Sequence, residues 1–394
     1  MTLYFNTAAI GRPSTSTLRY LRAFHEVVNR VGPRSGVVTE FVEAGFAAGG
    51  HIAAEGGALS SWGGLDDLAR KLKTLSGFPL DSSVVFTQGT SAALQLVLRG
   101  CDGREAVGLT DVEHQSEVVV AKNVVNTRIE TIRVSGLLER SDAKMRIIDT
   151  ILTAARRLDV LIISHVTAAD GIILPLNEIV SSVRESYPDV RVIVDGAHGL
   201  GHVEVDSMGV LPDAYVGSGH KWLEAPATSG FALLPVGSEI AATNTLKDLL
   251  VSGILVDGEV SDDRIYWGPA TLDCGAVTGL GVELSHVESS DRSRKRSRGR
   301  ANRKEFEFLL AQSGAPLEVH KAEGLERGNI SLVRVSSKST TLAKALARWL
   351  EKERGVVCEG IGLGMLRFSF TGSEEPDDLH IAADALCALA NGDA

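Results

Sequence analysis

Residues 192–223 read VIVDGAHGLGHVEVDSMGVLPDAYVGSGHKWL, and this stretch decides the fold. Val192, Ile193 and Val194 form an apolar β-branched run that stops at Asp195, as a buried parallel strand does at its carboxyl end. In an open α/β sheet that end opens into the crevice where ligands bind. A second short strand is predicted over Asp213–Gly217, and it runs into Ser218, Gly219, His220 and Lys221. A lysine on a Gly-flanked turn, beside a hydroxyl and an imidazole, is suited to holding an aldehyde covalently. A buried carboxylate such as Asp195 favours the protonated form of a pyridine nitrogen. Burial near other cations lowers a lysine pKa, so that its amine can attack a carbonyl and afterwards carry protons. Together these residue types predict a site for pyridoxal 5'-phosphate, with Asp195 and Lys221 as catalytic groups.

Working outward, VVFTQGTSAALQLVLRG (Val84–Gly100) reads as strand, turn and helix, with Gly89, Thr90 and Ser91 at the helix start. Unpaired amides and small residues there make an anion site without a lysine. GLTDVEHQSEVVV (Gly108–Val120) places His114 after a short strand and before a helical stretch. VLIISHVTAADGIILPLNEIV (Val160–Val180) begins as a buried strand and ends in a proline-led helix entry. GMLRFSFTGSEEPDDLHIAADAL (Gly364–Leu386) sets Arg367 in an apolar strand, a costly position unless the charge is paired. At the amino end, YFNTAAIGRPS (Tyr4–Ser14) leads into an amphipathic helix bearing Leu18, Leu21, Phe24 and Val28.

DGAHGLG followed by GSGHKW resembles the class V aminotransferase family of fold-type I pyridoxal phosphate enzymes, and further matches run along nearly the whole chain. The likeness is nearest to the isopenicillin N epimerase-like and ergothioneine-type carbon-sulfur lyase branches. It implies an α/β fold with a mostly parallel seven-stranded sheet covered by helices, and a smaller α+β carboxyl-terminal domain. It also implies a role for each matching residue. Asp195 pairs with the pyridine nitrogen and His198 neighbours the phenolic oxygen. Gly89, Thr90, Ser91, Ser218 and His220 hold the phosphate. Lys221 carries the cofactor covalently, and His114 stacks on the ring as a third catalytic group. Arg367 binds the substrate α-carboxylate through its planar fork, and Asn6 contacts the substrate. IYWGPATLDCGAVTGL (Ile265–Leu280) is similar to a family segment whose threonine, here Thr271, reaches the phosphate in a partner subunit, which implies a homodimer with shared sites. The chain departs from the family at Ala168, where desulfurases carry an asparagine, leaving His198, Thr167 or Asp170 to compensate. It departs again at Ala270, where glycine is usual and the spacing is stretched by one.

Composition agrees with a large enzyme. The chain has 394 residues, 44% of them hydrophobic and 23% charged, enough for one large core and a smaller domain. The expected division is an amino-terminal segment (1–20) near the small domain and active site, a large cofactor-binding domain (21–282) and a small domain (283–394). Cys101, Cys274, Cys358 and Cys387 show neither metal spacing nor a disulfide framework, so a reducing cytoplasm and no metal are expected. No apolar run is long enough to span a bilayer, and the first residues lack a signal pattern. Eight Lys or Arg residues fall between Arg292 and Lys304, and removing them from a net charge of -10 leaves -18. The run has no interleaved aromatics, so a solvated helix or loop between domains is expected rather than a nucleic-acid site.

The core motif does not choose the reaction, because the cofactor labilises every bond to the α-carbon. A desulfurase needs a nucleophilic cysteine on a mobile loop. In GVVCEGIGLGMLR, however, Cys358 stands nine residues before Arg367, after a Val-Val pair that reads as a strand, and is expected to pack. The leading expectation is β-elimination from a cysteine S-conjugate in thiol or natural-product metabolism. An aminotransferase or decarboxylating deaminase is the alternative, ahead of an epimerase or a desulfurase.

Overall fold

The computed structural model describes residues 2–33, 35–48, 52, 57–101, 106–124, 128–205, 209–238, 240, 265–267, 273–286 and 289–392. Strand β1 (Leu3–Tyr4) precedes helices α1 (Thr15–Val31), α2 (Gly36–Ala44) and α3 (Leu65–Ser76). Strands and helices then alternate: β2 (Ser83–Thr87), α4 (Thr90–Arg99), β3 (Ala106–Thr110), α5 (Gln115–Val124), β4 (Arg128–Ile132), α6 (Ala143–Ala155), β5 (Val160–Ser164), α7 (Leu176–Ser186) and β6 (Arg191–Asp195). β7 (Ala214–Ser218), β8 (Gly230–Leu234) and β9 (Ile265–Trp267) complete a sheet of order β4-β3-β5-β6-β7-β8-β2-β9. Within it β8 alone runs against its neighbours β7 and β2.

Side chains of the central strands alternate between two layers, which is why the strands read as continuous apolar runs. Leu161, Ile163, Val192, Val194, Phe231 and Leu233 enter one core, while Val160, Ile162, Ile193, Ala232 and Leu234 enter the core beneath α4 and α5. Among the described residues the sheet has eight strands rather than the seven expected. The extra one, β9, adds in parallel to the β2 edge through Val84↔Ile265 to Phe86↔Trp267. Its three residues are too few to show a period of two, so the sequence carries no strand signal there.

The chain continues through α8 (Cys274–His286), α9 (Ser289–Gln312), β10 (Leu317–Val319), β11 (Ile330–Val335), α10 (Ala343–Arg354), β12 (Val356–Val357), β13 (Glu359–Ile361), β14 (Met365–Ser369) and α11 (Pro376–Asn391). An antiparallel sheet of order β10-β11-β14-β13 closes over a separate core that contains Phe306, Val333, Leu350, Phe368 and Leu386. β1 pairs in parallel with β12, so Leu3 and Phe5 join this smaller core. Val282 and Leu284 pack in the large core, so a division after 282 cuts through α8.

Two further expectations change. On α1 the buried face is Thr17, Tyr20, Phe24 and Val27, with Leu21 and Val28 at its margin, whereas Leu18 is 54% exposed. The apolar stripe is centred on Tyr20, which stacks on Phe24. The basic run forms the first half of α9, and much of it is spent on ion pairs: Lys295 with Glu224, Arg296 with Glu204 at 3.1 Å and Arg298 with Glu375 at 3.0 Å. Arg303 is buried against Glu307, which also pairs with Arg327. Because Glu204, Glu224 and Glu375 lie far away in sequence, the run reads as solvated until the fold assembles them.

Candidate active site

The carboxyl ends of the parallel strands supply the site. β6 ends at Asp195, and β7, its parallel neighbour with Asp195 opposite Val216, ends at Ser218 just before Lys221. Asp195, His198, Ser218, His220 and Lys221 line one cleft of about 450 Å³ together with Gly89, Thr90, Ser91 and His114. Glycines make the turns possible. A Cβ on Gly199 would lie 1.8 Å from the Tyr215 hydroxyl, and one on Gly196 would lie 2.0 Å from the same ring. The DGAHGLG loop therefore closes directly over Tyr215, whose hydroxyl also meets His165 Nδ1 at 3.1 Å. Gly230 and Gly89 pack backbone to backbone, since a Cβ on Gly230 would sit 2.3 Å from the Gly89 Cα.

The phosphate end is built from the α4 amino terminus, where Gly89 provides no side-chain cap. Thr90 and Ser218 join hydroxyls at 2.6 Å, and the Thr90 amide faces Ser218 Oγ at 3.3 Å. His220 Nδ1 donates to the Ser229 carbonyl at 3.0 Å, which leaves Nε2 for a ligand beside Gly89. Such a set of uncapped amides, hydroxyls and an imidazole matches a phosphate. At the other end Asp195 is buried and takes the Ala197 amide at 2.7 Å, with no cation within ion-pair distance among the described residues. Burial raises its pKa, against the pull of Lys221 and the Ala197 amide. A protonated ring nitrogen is the partner this carboxylate lacks, so the site fits pyridoxal phosphate.

Lys221 is nearly buried, and burial lowers its pKa ahead of the opposing Asp195 charge. Its Nζ lies 3.3 Å from His198 Nε2, while the Trp222 indole donates to His198 Nδ1 at 3.0 Å. Burial holds the His198 pKa well below that of a free histidine, helped by Lys221 and Arg367. His114 stands at the cleft mouth with 55% of its side chain exposed and meets Ser116 Oγ at 2.8 Å.

Arg367 is buried on β14, donates to the Ala168 carbonyl at 2.7 Å, and has no carboxylate within ion-pair distance among the described residues. Asp170 does not turn to the cleft: it accepts from Thr167 and meets His320 Nδ1 at 3.3 Å. Asn6 lies outside the cleft wall, where it bridges to Ser369 and donates to Glu359 Oε2 at 3.2 Å. Thr271 falls outside the described residues.

Three contributors were missed in the sequence. Glu117 follows His114 by one helical turn, lines the cleft beside Asp195, and is pushed up to about 9 by burial and that carboxylate. An acid three residues after the expected stacking histidine was the available signal. Trp222 and His202, which stack at 3.8 Å with planes 5° apart, lie beneath His198. Their contacts depend on the folded loop and left no periodic trace. No group of three or more His, Cys, Asp or Glu residues suited to a metal occurs among the described residues.

Fold and site together define a pyridoxal phosphate enzyme of the fold-type I class. The family model for class-V aminotransferases matches residues 64–359, and the chain belongs to that family. The chain is 40% identical over 241 residues to the isopenicillin N epimerase of Streptomyces clavuligerus, covering 57% of this chain and 59% of that protein. It is 23% identical over 249 residues to the cysteine desulfurase SufS of Plasmodium vivax, covering 57% and 43%. The matches thus span less than two thirds of these relatives. A solved complex of the cystine C-S lyase C-DES with cysteine persulfide superposes with a TM-score of 0.74 at 20% identity, over 98% of this chain and 97% of that one, a likeness of fold.

Proposed function

We propose that the enzyme cleaves a carbon-sulfur bond of a cysteine S-conjugate by β-elimination. The observation that carries the reading is the position of Cys358. Its side chain packs in the smaller core beneath β14, and burial raises its thiol pKa, so no persulfide-forming nucleophile is offered there. Sulfur then leaves with the substrate's own substituent. When bound, the cofactor supplies an electron sink for the charge that develops at the α-carbon. Arg367 receives the α-carboxylate, Asp195 keeps the ring nitrogen protonated, and the His198 Nε2–H donates toward the phenolic oxygen. Lys221 Nζ takes the α-proton and holds it within reach of the departing thiolate.

The same reading includes a homodimer in which Thr271 completes the neighbouring copy's phosphate site, supported by the family resemblance and by exposed Ile10 and Leu18 near the amino end. It also places the chain in a reducing cytoplasm, supported by four cysteines that form no disulfide among the described residues; no helix among the described residues is long and apolar enough to cross a membrane. A second reading, epimerisation at the α-carbon, is favoured by the 40% identity to the isopenicillin N epimerase.

One incubation of the loaded enzyme with a cysteine S-conjugate in heavy water separates these readings. Equal yields of pyruvate, ammonia and free thiol support elimination. Intact substrate with deuterium at an inverted α-carbon supports epimerisation. An aldehyde or a transferred amino group refutes both.

A further inference from the structure

The proton positions of two buried histidines beneath Lys221 follow from their neighbours. The Asn329 backbone amide donates to His202 Nε2 at 2.6 Å, so that nitrogen is an acceptor and the proton sits on Nδ1, which donates to the His198 carbonyl at 2.9 Å. The Trp222 indole can only donate, so His198 Nδ1 is an acceptor at 3.0 Å and the proton sits on Nε2. That Nε2–H faces Lys221 Nζ at 3.3 Å. An ammonium has no lone pair to receive it, whereas a free amine has. The two imidazoles therefore carry opposite tautomers, each fixed by a donor that cannot reverse its role. Burial lowers the pKa of both, to about 3 for His202, which keeps them neutral.

We infer that Trp222 is a positioning residue: by donating to His198 Nδ1 it fixes the proton on Nε2, and that N–H selects the free-amine form of Lys221 that captures the cofactor aldehyde. The indole is itself held, because its ring lies flat on His202 and His202 is pinned by Asn329 just ahead of β11. The groups facing this network are Lys221, Arg367 and His114 from the cleft side, and His165, Arg300 and Arg303 from the His202 side. The inference holds whichever reaction the enzyme performs. A reversed His198 would set a ring N–H against the indole N–H in a buried site, so the Nε2–H tautomer is favoured by roughly tenfold or more, the ratio that one forfeited buried hydrogen bond represents.

The test is nitrogen NMR of the full-length chain labelled at histidine nitrogens, before and after loading with pyridoxal phosphate, with His198→Gln to assign the signal. The wild-type chain is expected to show His198 as the neutral Nε2–H tautomer in both states. Trp222→Phe keeps an aromatic ring for His202 to stack on and removes the N–H together with one ring of the indole. It is expected to give a mixture of tautomers and to slow covalent uptake of pyridoxal phosphate, read from the growth of its visible band, by roughly threefold to tenfold, the range for weakening one modest hydrogen bond. An Nδ1–H or doubly protonated His198 in the wild-type chain overturns the inference without any variant. Unchanged tautomers in Trp222→Phe overturn it too, as does uptake at the wild-type rate with the tautomers mixed.

Discussion

Replacing Gly199 with alanine tests the way the cofactor loop is held. The added methyl would lie 1.8 Å from the Tyr215 hydroxyl, 2.9 Å from His165 Nδ1 and 3.1 Å from the Tyr215 ring carbon that bears the hydroxyl. Tyr215 is fully buried and its ring is wedged against Gly196, so it has no room to swing aside. Overpacking of this kind costs about 1–3 kcal/mol. Pushing the hydroxyl off His165 removes a buried hydrogen bond, adding about 1 kcal/mol. Gly199→Ala is therefore expected to destabilise the chain by about 2–4 kcal/mol. It should also weaken pyridoxal phosphate binding, since the displaced loop carries Asp195 and His198. Tyr215→Phe alone loses only the hydrogen bond. In the double variant the worst contact vanishes and the closest remaining one is the imidazole nitrogen at 2.9 Å. The double variant should then be more stable than Gly199→Ala, with a coupling of about 1–2 kcal/mol. Urea unfolding midpoints of the four proteins, with cofactor titrations beside them, give the cycle. Additive effects, or a Gly199→Ala cost below about 0.5 kcal/mol, would show that the loop does not rest on the Tyr215 hydroxyl.

Three further outcomes are expected. Arg367→Lys should lower kcat/KM for the amino acid about 10- to 150-fold, the equivalent of the 1.5–3 kcal/mol carried by hydrogen bonds to a charged group, while the spectrum of the bound cofactor stays the same; an unchanged KM refutes its carboxylate role. Cys358→Ala should leave turnover within about twofold, because removing a buried thiol is a packing change, and a complete loss would restore the persulfide mechanism. His165→Gln should flatten the acid limb of the stability profile. Burial lowers the folded His165 pKa from 6.5 to about 4, so the unfolded chain takes up the proton first. This residue therefore costs the fold about 1.36 kcal/mol per pH unit as pH falls through that window, and nothing above it. Glu113, raised to about 7, and Glu117, raised to about 9, have the opposite slope, since the fold keeps their protons. The difference between wild-type and variant urea midpoints isolates His165, and parallel profiles would refute the assignment.

Residues set by backbone chemistry were legible in the sequence. Asp195 and Lys221 announce themselves because a β-branched run and a Gly-flanked turn mark strand ends, and Gly89–Ser91 because a helix start follows a strand. Arg367 stands out as a charge in an apolar strand, and the structure gives it a carbonyl partner and no carboxylate. What depended on tertiary register was not legible. Whether Leu18 or Tyr20 faces inward turns on the roll of α1 against Phe41 and the α8 helix, and both residues satisfy a helical period. The ion-pair partners of the basic run, Glu204, Glu224 and Glu375, lie up to 92 residues away along the chain. Asn6 and Asp170 carry donor and acceptor groups suited to a substrate, yet each is engaged by a neighbour from the smaller sheet or its flanking loop.

Glu117 shows how the cleft balances its charge. With Lys221 held as the free amine, two ionised carboxylates at Asp195 and Glu117 would outweigh the Arg367 charge and repel a phosphate and an α-carboxylate. Burial beside Asp195 raises Glu117 to about 9, so at neutral pH it keeps its proton and Asp195 is the group free to ionise. Ser116 donates to Glu117 Oε1 at 2.8 Å, which leaves the acid's proton for Asp195, and a shared proton there opposes the rise that burial imposes on the Asp195 pKa. The second acid thus supports the first by staying neutral. Arg367 then offsets Asp195 while Lys221 stays the free amine, and the site adds no net negative charge against a doubly anionic cofactor and an anionic substrate. A carboxamide at position 117 can still donate to Asp195 and preserves this balance, whereas any change that ionises the position removes it.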